Sequence, residues 1–279
     1  MNNISSHFFT TNDGVKLHYL EAGQGETLLM LPGGGFSANV FQQQIQAFRH
    51  DYHVISLDKR GHGKSEKVHH GYRVSRFAED LYDLLTHLKM HNVHVLGHSQ
   101  GAAVVYNYFD LFGSQYIKTF IAVDQPAALL INPIWSKQER LQYGAVYEAA
   151  TLHKLINEFL AKDNDTFKQN VVETMTSKTV TKEDKAFILR CLDIPGYAAT
   201  PLYFNTICQD FRDVLPKIDI PTLFIGGKAS PLPWQAYEWM HKKVPHSKLE
   251  IFSSTEGGSH FMFVENAKKF NQVVLSFLS

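Results

Sequence analysis

Short apolar runs alternate along the chain with longer amphipathic stretches. Residues 15–20 and 27–31 read as strands, separated by the turn Gly23-Gln24-Gly25. Residues 54–57, 93–96, 120–123, 222–225 and 249–252 continue the series. Between them the period lengthens. Phe77, Leu81, Leu84, Leu85 and Leu88 recur at helical spacing, as do Ala102, Val105, Tyr106 and Phe109. Such alternation predicts an α/β fold, with a mostly parallel sheet covered by helices on both faces. The rhythm stops at about Ala127 and resumes at about Leu215. The intervening stretch is helical in pattern, broken at Pro133, Pro195-Gly196 and Pro201, and predicts an insertion packed over one edge of the sheet.

Composition narrows the class. The chain has 279 residues, 44% of them hydrophobic and 19% charged, which is globular rather than disordered. Basic and acidic residues number 27 each, and no basic run exceeds Lys242-Lys243 or Lys268-Lys269, so a nucleic-acid partner is not expected. Two cysteines, Cys191 and Cys208, are too few for a disulfide framework and fit a reducing compartment. Residues 1–11 are polar and lack an apolar secretory core, and no run of 18 apolar residues occurs. The expectation is a cytoplasmic protein with no membrane partner.

The strongest chemical signal is Gly97-His98-Ser99-Gln100-Gly101. It fits G-x-S-x-G, follows a predicted strand and opens a predicted helix. A turn this sharp needs small flanks; it lifts Ser99 above the sheet edge and aims a helix N-terminus at it. Leu31-Pro32-Gly33-Gly34-Gly35 follows an earlier strand, and Asp58-Lys59-Arg60-Gly61-His62-Gly63-Lys64-Ser65 another. The second stretch lacks the glycine that a phosphate loop places at Asp58, so it reads as a structural turn, with Arg60 and Asp58 bracing the loop near the site.

Taken in order, these motifs resemble the α/β-hydrolase superfamily, whose D-x-R-G-x-G-x-S stretch and nucleophile elbow they match. The resemblance implies an eight-stranded, mostly parallel sheet with a helical cap inserted after strand 6. The core would be residues 1–126 and 216–279, and the cap residues 127–215. It implies an oxyanion hole built from the amide of Gln100 and one from the loop after the third strand. Counting back from Phe41, which occupies the family's usual aromatic position, selects Gly34, with Gly35 and Phe36 as alternatives. It also implies a catalytic His in the loop after the last strand, where His260 stands in Gly257-Gly258-Ser259-His260-Phe261.

The acid departs from the family's pattern. Its usual slot after the seventh strand holds Ser230, which cannot carry charge beside an imidazolium. Some superfamily members place the acid after the sixth strand, where this chain has Asp124. A triad without a carboxylate, or one using Asp210, Asp213 or Glu256, remains as an alternative. The insertion's aromatics are Trp135, Tyr143, Tyr147, Phe159, Phe167, Tyr197, Tyr203 and Phe204. Trp135, with Trp234 beyond Ser230, is expected to line an apolar pocket. The reading is a hydrolase without cofactor or metal, acting on a small ester or lactone through Ser99, His260 and Asp124. C–C bond hydrolysis, amide hydrolysis, perhydrolysis, or a ligand receptor of the same fold are the rivals. Dehalogenase and epoxide hydrolase chemistry would need Asp in place of Ser99.

Overall fold

The structure, a computed structural model, describes residues 4–160, 165–193 and 196–279. The Pro195 break and the side chains of Phe159 and Phe167 lie outside the described residues. Eight strands form one sheet: β1 (Ser5–Thr10), β2 (Lys16–Ala22), β3 (Thr27–Leu31), β4 (His53–Asp58), β5 (Val93–His98), β6 (Ile117–Val123), β7 (Thr222–Gly227) and β8 (Ser247–Phe252). Their order is β1-β2-β4-β3-β5-β6-β7-β8. β1 and β2 pair antiparallel, β2 meets β4 antiparallel, and the remaining pairs are parallel. β1 has no counterpart among the strands read from the pattern. It is an edge strand with only Phe9 buried, so its alternation is too weak to register.

Helices cover both faces. α1 (Gln42–Phe48) is followed by α2 (Val74–His87) and α3 (Gln100–Phe112). The predicted stripe Phe77, Leu81, Leu84 and Leu85 of α2 is buried against the sheet beside Val105 and Phe109 of α3. Among the described residues five helices follow β6: α4 (Lys137–Tyr143), α5 (Ala149–Leu160), α6 (Asp165–Met175), α7 (Lys182–Cys191) and α8 (Gly196–Ile207). After β7 come α9 (Gln235–His241), α10 (Met262–Glu265) and α11 (Ala267–Leu278). Phe270 and Val274 of α11 join Phe41, Ile45 and Phe48 on the opposite face from α2 and α3.

Among the described residues, the segment between β6 and β7 adds no strand to the sheet, only isolated bridges such as Ala128 with Asp210. One expected break is absent: α8 runs through Pro201. The proline removes one helical hydrogen bond, while Ala198, Ala199, Leu202 and Ile207 bury the helix against its neighbours and hold it.

The strand order places the site. From β3 the chain steps to one side to make β4, then returns past β3 to make β5. The crevice beyond the ends of β3 and β5 is therefore a topological switch point, where open α/β sheets bind ligands.

Candidate active site

The elbow is built by close approach. Ser99 has φ 51° and ψ −127°, a strained turn between β5 and α3. Its amide donates to Val123 O at 2.7 Å, and its carbonyl accepts from Ala102 N at 2.8 Å, so both strand and helix hold the turn. A Cβ on Gly101 would lie 2.1 Å from the Leu31 carbonyl oxygen, which is why glycine ends the motif. α3 starts at Gln100, so the Gln100 amide has no helical acceptor and is free for another.

His260 Nδ1 lies 2.6 Å from Asp124 Oδ2, and the carboxylate is fully buried. This leaves Nε2 as the ring nitrogen available for proton transfer, and His260 shares one cavity wall with Ser99. Asp124 itself adopts φ 49°, and its amide is tied to Ile225 O at 2.9 Å. The same Oδ2 accepts a hydrogen bond from Ser230 Oγ at 2.6 Å. The buried Tyr237 hydroxyl faces the carboxylate, and burial, with the charge of Asp124, raises the phenol well above its ordinary value. The other carboxylates considered stand elsewhere: Asp210 pairs with Arg212 and Glu256 with Lys269, while Asp213 is exposed.

His98 braces the base. Its Nε2–H donates to the carbonyl of His260 at 2.9 Å, and the two rings sit 4.6 Å apart. Burial, reinforced by the neighbouring imidazole of His260, holds His98 well below the usual imidazole range, so it stays neutral. The His260 amide is bonded to Met175 O, at the end of α6, at 3.1 Å.

The loop after β3 lies directly over the elbow. A Cβ on Gly33 would meet His98 Nδ1 at 2.9 Å and Ser99 Cβ at 3.2 Å. The alternatives to Gly34 are already engaged: Gly35 N–H donates to His62 Nε2 at 3.0 Å, and Phe36 N–H to Gly33 O at 3.2 Å. Tyr203 of α8 donates its hydroxyl to Gly34 O at 2.8 Å, and Gln100 Nε2 donates to Thr206 Oγ1 at 2.8 Å. Helix α8 thus grips both the loop and the elbow.

Ser99, His260, Gly34 and Gln100 line one cavity of about 760 Å³ of atom-free space, mouth included. The rest of the wall is mostly apolar, from Phe36, Leu129, Val171, Met175, Ile207 and Phe261, with Tyr147 and Tyr203 as aromatic hydroxyls. Trp135 and Trp234 do not line it, contrary to the sequence expectation. Trp135 packs on Tyr143, with the Arg212 guanidinium 4.5 Å above its ring, and Trp234 stacks under Lys228 Nζ at 5.0 Å. Both are occupied as packing for cations outside the cavity.

The bracing of the glycine loop also differs from expectation. Arg60 turns away, to Asp80 and Asp13, at 2.8 Å each. Asp58 holds Ala38 N, and the Pro32 and Gly33 carbonyls of the loop accept from Lys59 Nζ. No sequence signal marked Lys59, because it occupies the variable position of D-x-R and lysine ordinarily reads as surface.

A family model described as alpha/beta hydrolase fold matches residues 26–267. The non-heme chloroperoxidase CPO-A1 of Kitasatospora aureofaciens is 29% identical over 97% of this chain and 98% of its own. A bromoperoxidase structure from Bacillus anthracis superposes with a TM-score of 0.88 at 24% identity, covering 98% of this chain and 99% of that one. The esterase EaEST from Exiguobacterium antarcticum superposes with a TM-score of 0.87 at 25% identity, covering 97% and 98%. No helix among the described residues is long and apolar enough to cross a membrane.

Proposed function

The chain belongs to the α/β-hydrolase family, and from that premise we propose that it is a serine hydrolase that cleaves a small ester or lactone through an acyl-enzyme. The observation that carries the reading is the 2.6 Å contact between His260 Nδ1 and Asp124 Oδ2, behind a cavity that His260 shares with Ser99. Asp124 fixes the tautomer with Nδ1 protonated and stabilises the imidazolium that forms. Nε2 then takes the Ser99 proton as Oγ attacks the substrate carbonyl. The developing oxyanion meets the amides of Gln100 and Gly34. His260 next protonates the leaving oxygen, and a water it activates releases the acid. Among the described residues no carboxylate, lysine or arginine lines the cavity, which favours an uncharged substrate. Residues 127–215 serve as its cap, supplying Leu129, Tyr147, Val171, Met175, Tyr203, Thr206 and Ile207 to the wall.

The likeness to the chloroperoxidase supports a second outcome at the same centre. Hydrogen peroxide, in place of water, would attack the acyl-enzyme, releasing a peracid and restoring the Ser99 hydroxyl. Halide oxidation in the presence of peroxide and acetate detects it.

The direct test is Ser99→Ala. Fluorophosphonate labelling should vanish and p-nitrophenyl acetate hydrolysis should drop by several orders of magnitude, with the far-UV circular dichroism unchanged. Retention of more than about a tenth of the activity would rule out acyl-enzyme chemistry at Ser99.

A further inference from the structure

Lys59 is 2% exposed, and among the described residues both of its hydrogen bonds go to main-chain carbonyls of the glycine loop. Nζ donates to Pro32 O at 2.8 Å and to Gly33 O at 2.9 Å. A planar trans peptide points its C=O and N–H in opposite directions. The carbonyl of Gly33 and the amide of Gly34 belong to one peptide, and the carbonyl of Pro32 and the amide of Gly33 to the next. Whatever grips these carbonyls from behind therefore aims the two amides the other way. Gly33 and Gly34 both line the cavity.

We infer that Lys59 is a positioning residue for the oxyanion hole: its two hydrogen bonds orient the Gly33–Gly34 peptide so that the Gly34 amide faces the reacting carbonyl oxygen. The inference rests on the acyl-enzyme reading above. The rest of the loop is tied down independently. Gly35 N–H goes to His62 Nε2, Gly34 O accepts from Tyr203, and His62 is itself oriented by Nδ1–H to Arg60 O at 2.9 Å. Among the described residues the Pro32 carbonyl has Lys59 as its donor, and the Gly33 carbonyl is shared between Lys59 and the more distant Phe36 amide at 3.2 Å. An amine in either charge state has two N–H groups to give, so the grip survives deprotonation, while the charged form further polarises the peptide toward an anion. An aliphatic side chain of similar length would fill the space without the cost of burying an amine. That this position carries lysine points to the carbonyls it holds.

The test compares Lys59→Met and Lys59→Gln with Ser99→Ala and the parent, using p-nitrophenyl acetate and a boronic acid whose tetrahedral adduct places an oxygen in the oxyanion hole. Removing one oxyanion donor outright costs about 10²–10³-fold in kcat, so misaiming one in Lys59→Met should cost about 10–100-fold, with KM nearly unchanged. Boronate affinity should drop by the same factor, a parallel that a merely loosened fold would not produce. Lys59→Gln keeps an N–H pair but is one atom short of spanning both carbonyls. It should recover part of the rate while staying about 5-fold or more below the parent. A folded Lys59→Met with kcat and boronate affinity within about 2-fold of the parent overturns the inference, as does a change confined to KM. Where Lys59→Met does not fold, Lys59→Gln decides: a kcat deficit at constant KM supports the assignment, and parental kcat rejects it. An active Ser99→Ala would instead overturn the acyl-enzyme reading; an inactive one beside an unimpaired Lys59→Met overturns only the role of Lys59.

Discussion

Two donors converge on one oxygen of Asp124: His260 Nδ1 and Ser230 Oγ, each at 2.6 Å. Asp124→Asn would favour the imidazole tautomer with its proton on the wrong nitrogen. The expected loss in kcat is about 10²–10⁴-fold with the fold retained, measured on p-nitrophenyl acetate. From sequence alone Ser230→Ala should cost little, because a hydroxyl brings no charge. The geometry raises that expectation. Without the hydroxyl, a fully buried carboxylate is one donor short, which should lower stability by about 1–2 kcal/mol and kcat several-fold. A urea midpoint and kcat equal to the parent's would show the contact to be idle. Placing the carboxylate back in the common slot, Ser230→Asp in the Asp124→Asn background, should restore part of the rate. Ser99 and His260 were legible because a motif and a loop position mark them. Asp124 was legible only through what Ser230 lacks. Lys59 and His98 were not legible, since their importance lies in whose carbonyls they hold.

At the scale of elements, the elbow, the glycine loop and helix α8 form one interlocked unit. Gly101 backs onto Leu31 at the end of β3, Gly33 lies against Ser99, and Tyr203 and Thr206 of α8 hold Gly34 and Gln100. Gly101→Ala would put a methyl 2.1 Å from a main-chain oxygen, so α3 or β3 must move. Overpacking of this kind costs about 1–3 kcal/mol or more. Because Gln100 precedes the displaced residue, kcat should drop by about 10-fold or more as well. Parental values of both the urea midpoint and kcat would refute the interlock. The sequence revealed the elements with strong periodicity, such as α2 and the buried central strands. It missed β1, whose lone buried side chain makes no pattern, and misjudged Pro201, where packing overrides local preference. The tryptophans were misassigned because size predicts burial without naming the neighbours: Arg212 and Lys228 claim them.

Over the whole molecule, the groups buried around the site set how stability varies with pH. His62 and His98 are held well below the ordinary imidazole value, by burial first and by nearby positive charge second. The unfolded chain therefore binds protons there that the folded one refuses, and stability must decline as pH drops below about 6.5. Lys59 is pushed down to about 7 by burial, against the opposing pull of Asp58. Between about 7 and 10.4 the unfolded lysine is protonated and the folded one largely neutral, so over this window stability rises with pH. Each such group contributes a slope of about 1.4 kcal/mol per pH unit at most. Tyr106 and Tyr237 act oppositely. Burial raises their phenols well above the ordinary value, so ionisation of the unfolded tyrosines draws stability down above about pH 10. The thiol of Cys191, which burial raises to about 11, also draws stability down above its ordinary value of about 8.5, so the combined expectation is a maximum on the mildly alkaline side of neutrality. Urea unfolding of the parent and of Lys59→Met across pH 5 to 10.5 checks it. The rise from about pH 7 to 8.5 should be present in the parent and flattened in Lys59→Met, whatever that variant's absolute stability. Equal slopes in the two proteins would mean that Lys59 stays charged in its buried seat, held by the two carbonyls and the nearby Asp58 more strongly than burial opposes it.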